Sequence, residues 1–479
     1  MQNSLLAMEE ETLDYSFEFE EETLQAVQKF ERMSKNNERC FFDVEEFESI
    51  IDYYIECNNS AKAFEAADLA AEQHPNSTSI QLRRANVFLD KGRAVEALSL
   101  LKKLENIEAD NPELYISKGM AYGMLGNVNG ALKVFDKALT LDLDETENIL
   151  FSIIAVLQEQ NYYQQSIPYM LRLIELDPDF KAHLYDLAYA YDKIEDYDNS
   201  IKYYLEYLEE DPFSDSAWYN LGIIYNKLDM YEKAIEAYDF ALAINSLNIF
   251  ALLNKANILN LTEKYSEAIE VYHEYIENEP DSFEAMTYLA ECYEKTDDFI
   301  MAKKYYQAAL DLAPDYADPW FGLGILALDS DNIEDSLRYF RKAVRLDNEN
   351  PEFWYLLGHA HLKNNEPKIA IRCFREALKL NAYYNEIWSD MGKIIFSENI
   401  VEKATTQLEK AHKVMGDVPG INYLLASLYT HLDIEDKAHR YFLSAINMER
   451  ELLFEFLDLF PVAMQKEIKK FHKKNNKNK

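Results

Sequence analysis

The chain has 479 residues, of which only 12 are glycine and 12 are proline, whereas average usage of about 7% and 5% would supply more than twice as many turn formers. A mostly helical chain follows. Its 48% apolar content, with 34 Tyr and 26 Phe, excludes a disordered polyelectrolyte, because such chains lack the apolar surface that offsets ordering entropy. With 86 acidic against 48 basic residues the formal charge is −38. Duplex nucleic acid is therefore an improbable ligand, since phosphate affinity comes from basic patches, and basic partners are favoured.

In chain order, residues 1–19 are expected to be loose and acidic; residues 1–60 hold 16 acids and four bases. No basic region precedes the apolar run Leu5 to Met8, so this end does not read as a signal peptide. Residues 20–43 are expected to form an N-terminal capping helix and linker, with Ala26, Phe30 and Met33 spaced along one helix face. From 44 to 452 a period of 34 takes over. All four tryptophans, Trp218, Trp320, Trp354 and Trp388, stand four residues before a glycine. Repeats begin at 44, 78 and 112, then, after one step of 35, at 147 and every 34 residues to 419. Twelve copies cover 409 of the 479 residues. Residues 453–472 are expected to be a C-terminal capping helix, interrupted by Pro461 and carrying Met464, Ile468 and Phe471 as a stripe. Residues 473–479 are expected to be a basic, disordered tail; with the segment before it, 466–479 has seven Lys and one Glu. The longest uncharged apolar stretch, Ile149 to Leu157, has nine residues, far short of the ~20 that a membrane helix needs. A soluble, cytoplasmic protein is expected.

Recurring positions within the period have a packing logic. Position 8 is Gly or Ala in ten of twelve copies, Ile51 and Ile154 being the exceptions, and position 20 is always Ala or Ser. Position 24 is commonly Phe or Tyr, as in Phe135, Tyr204, Tyr272 and Phe374. Small residues facing large ones let two helices interlock. Spacings of three and four around each block give two amphipathic helices per copy, joined by a polar turn such as Asp331–Ile333.

The run Trp218, Leu221, Gly222, Tyr225, Ala234, Tyr238, Ala241 resembles the signature of the tetratricopeptide repeat (TPR) family. Prolines at 75, 178, 212, 280 and 314 close copies as in that family. The resemblance implies an all-α fold, an α-solenoid in which about twelve helix pairs wind into a right-handed superhelix. It also implies a concave groove, lined by the first helices, that holds a peptide or partner protein.

Sites for chemistry are scarce. The four cysteines, Cys40, Cys57, Cys292 and Cys373, show no CxxC spacing and are expected to be reduced thiols packed in helices. His359 and His361, two apart on a helix, point to different faces and cannot share a metal. Gly119, Gly123, Gly126 and Gly130 follow no strand and precede no GK[ST], so they are repeat architecture rather than a phosphate loop. No catalytic residue, metal or cofactor is expected, and a non-enzymatic scaffold or adaptor is.

By the resemblance, positions 2, 5, 9, 12 and 13 of each first helix face the groove. The expected partner-binding residues are Phe151, Tyr185, Tyr219, Phe321, Tyr355 and Tyr423 at position 5, with Tyr189, Asn257, Glu291 and His359 at position 9. Acids recur at position 2, among them Glu284, Asp318, Glu352 and Glu386. Aromatic rungs flanked by acids suit a Lys- or Arg-containing segment, although a position-5 ring can equally pack against the next repeat. Chaperone-docking members of the family hold a carboxylate with Lys at position 5, which no copy has here. The alternative is docking of an assembly or targeting factor through Lys473, Lys474, Lys477 and Lys479 on an RNA-rich or anionic membrane surface.

Overall fold

The computed structural model describes residues 21–36, 40–142, 145–176, 182–462 and 464–465. These residues hold 26 α-helices, one 3-10 turn and no strand, and the chain divides into two compact units between Ile224 and Tyr225. Helix Glu21–Asn36 buries Ala26, Val27, Phe30 and Met33. The Phe30 ring meets Phe42 and Tyr54, so this helix covers the first repeat. First helices of 12–14 residues then alternate with second helices of 11–15, from Val44–Glu56 and Ser60–Gln73 to Pro419–His431 and Glu435–Met448.

A left-handed residue at position 15 separates first from second helix in every copy, from Asn58 and Gly92 to Asp433, with φ between 51° and 73°. Its step is 34 throughout except between Gly126 and Asn161, where it is 35. The backbone thus carries the same single insertion as the sequence. Most of these residues are Asn, Asp or Gly, which tolerate this region; Glu195 and Glu263 are strained there.

The interlock of small and large positions is literal. A Cβ added to Gly358 would lie 2.4 Å from the Phe374 ring, and one on Gly324 2.5 Å from the Phe340 ring. In these copies position 8 meets position 24 of the same copy. Position 20 is closed on the other side: Ala63, Ser166, Ala302 and Ala370 have no exposed surface, and Ser200 Oγ donates to the position-8 carbonyl of Ala188 at 2.6 Å. The tryptophans tie each first helix to the loop before it. Trp218, Trp320, Trp354 and Trp388 each donate Nε1–H to the carbonyl six residues back, at 2.9–3.0 Å. Tyr115 does the same with its hydroxyl, to Ala109.

Of the cysteines, Cys292 and Cys373 are buried, Cys40 is half-buried and Cys57 is exposed, so packing holds for only two of the four. Among the described residues no helix is long and apolar enough to cross a membrane. The last repeat ends in one α-helical turn, Leu453–Phe456, and a 3-10 turn, Leu457–Leu459, which bury Leu453, Phe456, Leu457 and Leu459.

Candidate functional site

In the first unit Tyr185, on helix Ala182–Lys193, is half-buried and its ring stands edge-on to Tyr204 and Tyr207, both with centroids at 5.5 Å. Asn220, at position 6 of the next first helix, donates Nδ2–H to the Tyr185 hydroxyl at 2.8 Å and to that of Tyr204 at 3.1 Å. Tyr185 therefore links two successive repeats. One turn on, Tyr189 carries Lys193 Nζ 4.6 Å above its ring, so that ring already holds a cation. Tyr219 is half-buried on helix Asp215–Lys227, and Phe151 is exposed with its ring 5.1 Å from His183.

In the second unit the charged positions come together. Glu291, at position 9 of helix Phe283–Lys295, lies near Asp318 of helix Ala317–Asp329, Glu352 of helix Pro351–Lys363 and its own neighbour Glu294, with Lys295 as the opposing charge. Burial, then the charges of Asp318 and Glu294, push the Glu291 carboxyl up to about 7. Tyr288 faces the charges of Glu291, Asp318 and Glu284, and Tyr316, its ring edge-on to Phe283, faces the charge of Asp318. The result is a cluster of carboxylates from three first helices with tyrosine rings beside it. Asn257 is exposed and accepts the Tyr272 hydroxyl at 2.7 Å.

One step further the acid is neutralised within the protein. Tyr355 donates its hydroxyl to Asp390 Oδ2 at 3.1 Å, His359 Nε2 lies 3.0 Å from the same oxygen, and Lys393 Nζ donates to Oδ1 at 2.7 Å. Burial works against ionisation of Asp390, but the hydrogen bonds from His359 and Lys393 prevail and hold it at about 2. Phe321 is half-buried between Phe353 at 4.5 Å and Phe340 at 5.6 Å. Tyr423 is fully buried, stacked on Phe456.

Periodicity thus places the face without ranking its positions. Tyr185, Phe321 and Tyr355 contact neighbouring repeats, and Tyr423 is covered by the segment that follows the last repeat. Tyr288 and Tyr316 are the residues that sequence reasoning left out of the site, whereas Asp318 was among the acids it placed at position 2. Among the described residues no cluster of His, Cys, Asp and Glu could hold a metal. Lys473, Lys474, Lys477 and Lys479, with Ile468 and Phe471 of the expected cap, lie outside the described residues.

Models of the tetratricopeptide repeat match residues 112–145, 155–215 and 216–246, and the model described as the C-terminal domain of cilia and flagella-associated protein 70 matches 243–452. The chain belongs to the tetratricopeptide repeat family. Its fold is the all-α solenoid of that family, a scaffold for protein interactions that is typically non-catalytic. No curated protein matches it. Among solved structures it is similar to PilW, described as a widely conserved type IV pilus biogenesis factor, at 20% identity over 44% of this chain and 96% of that one, TM-score 0.37. It is also similar to YrrB, described as a TPR protein with an unusual peptide-binding site, at 18% identity over 38% and 93%, TM-score 0.32. A tetratricopeptide repeat protein from Parabacteroides merdae matches at 18% identity over 52% and 98%, TM-score 0.34.

Proposed function

We propose that the protein is a non-enzymatic scaffold whose first-helix face, at the repeats beginning at 283, 317 and 351, holds a Lys- or Arg-containing segment of a partner protein. The observation that carries this reading is the crowding around Glu291, where carboxylates outnumber the nearby cation. A ligand ammonium or guanidinium placed there lowers the like-charge repulsion, and Tyr288 and Tyr316 offer ring surface to its alkyl stem. Asp390 is the contrast, since its own His359 and Lys393 already satisfy it. The buried thiols Cys292 and Cys373, pushed up by burial to about 12 and about 11, are inert and suit a reducing compartment such as the cytoplasm.

The test is fluorescence anisotropy of a labelled 12-residue peptide alternating Lys and Ser, titrated with the full chain. Changing Glu291→Gln with Asp318→Asn should weaken binding at least fivefold and flatten its salt dependence, while a Glu/Ser peptide should not bind. Equal binding of the Lys peptide by both proteins would remove the site from this face.

A further inference from the structure

The segment after the last repeat turns back across two first helices. Ser389, at position 5 of helix Asn385–Ser397, donates its hydroxyl to the Glu455 carbonyl at 2.8 Å. Tyr423, at position 5 of helix Pro419–His431, donates to the Glu449 carbonyl at 2.9 Å and stacks on Phe456 with centroids 5.4 Å apart. Gly392, the position-8 glycine, faces this segment too: a Cβ there would lie 2.4 Å from Leu459 Cδ1. In the two preceding copies that glycine is met by Phe340 or Phe374 of its own second helix, whereas here position 24 is Leu408 and Leu459 fills the gap.

These contacts have the form of a bound peptide. The Ser389 hydroxyl holds a main-chain carbonyl of residues 452–460, the Tyr423 hydroxyl holds the Glu449 carbonyl that ends the last second helix, apolar side chains seat against both first helices, and Asp458 remains exposed. We infer that the first-helix face at Ser389 and Tyr423 is a docking surface for a short, Leu- and Phe-rich segment, and that residues 452–460 fill it as an intramolecular ligand which a partner's segment of the same apolar chemistry displaces. This goes beyond the basic-segment reading and does not depend on it. Two features make the ligand releasable. It consists of one α-turn and one 3-10 turn, too short to persist by itself. Glu455 also docks beside Glu386 and Glu449 with Lys393 as the opposing charge, and burial together with those carboxylates raises its pKa, so ionisation works against docking.

The experiment uses the full chain and a fluorescein-labelled peptide of residues 449–462. A tethered ligand competes at high effective concentration, so wild type should bind the peptide weakly. Phe456→Ala with Leu459→Ala should bind it at least tenfold more tightly, and adding Tyr423→Ala should abolish the gain. A folded double variant that binds no better than wild type overturns the inference. Wild type gives a second readout through hydrogen exchange at the bonded amides of Leu453, Glu455 and Phe460. They should exchange at least tenfold faster than the amides of helix Pro419–His431, and faster still with excess unlabelled peptide. Exchange in step with that helix would make the segment a fixed cap and overturn the inference whatever the variants do.

Discussion

Replacing Glu291 by Gln changes the charge of the crowded cluster while nearly keeping its shape. In the folded protein this carboxyl sits at about 7 instead of its ordinary 4.5, first because it is buried and then because of Asp318 and Glu294. At about 1.4 kcal/mol per tenfold change, its charged form is disfavoured by about 3 kcal/mol. An acid whose folded value lies above its unfolded one keeps its proton in the fold after the unfolded chain has lost it. Unfolding then releases a proton, and stability falls as pH rises from about 4.5 to about 7. Below that window both states are protonated and the penalty vanishes; above it the penalty is complete. Glu291→Gln should therefore match wild type at pH 4 and exceed it by about 3 kcal/mol at pH 8. Because repeat arrays unfold in parts, the assay needs a local probe. Trp320, on the next first helix and tied to the Pro314 carbonyl, serves in a background where Trp218, Trp354 and Trp388 are Phe. Urea unfolding followed by its fluorescence across pH 4–8 measures the difference. A Gln variant with the wild-type pH dependence, or one less stable at pH 8, would refute the electrostatic account of this cluster.

Gly358→Ala drives a methyl into the fully buried Phe374 ring and should cost about 1–3 kcal/mol, seen as faster hydrogen exchange in helices Pro351–Lys363 and Pro367–Leu380; unchanged exchange would mean the two positions do not interlock. Glu263→Gly, which relieves a left-handed residue at φ 60°, should stabilise the second unit by about 0.5–1 kcal/mol net of the glycine's greater unfolded freedom, and a lower melting temperature would contradict the strain. Tyr185→Phe removes the hydroxyl bonded to Asn220 and should lower stability by about 0.5–1.5 kcal/mol with binding of the Lys/Ser peptide unchanged. Weakened binding at full stability would instead make Tyr185 a ligand contact.

The sequence by itself determined the frame. A period of 34, a small residue at position 20 and a commonly bulky one at position 24 encode contacts between helices a few turns apart in the chain, and such contacts repeat wherever the residues do. The single insertion between the copies beginning at 112 and 147 was legible for the same reason, and the turn residues Gly126 and Asn161 carry it in the backbone. The left-handed state of Glu195 and Glu263 was not legible, because glutamate has no local preference for it and only the closure of each helix pair imposes it. Nor did the pattern distinguish one position-5 aromatic from another. Tyr185 is bonded to Asn220, 35 residues on, and Tyr355 to Asp390, also 35 residues on. The crowding at Glu291 sums charges from residues 27 and 61 positions away, Asp318 and Glu352. Tyr423 occupies the same register position as these rings yet is buried, because residues 452–460 fold back over it rather than continuing the period. Periodicity reports which face a side chain takes on its own helix. What stands opposite that face, and how much charge gathers there, is fixed only once separate helices are brought together.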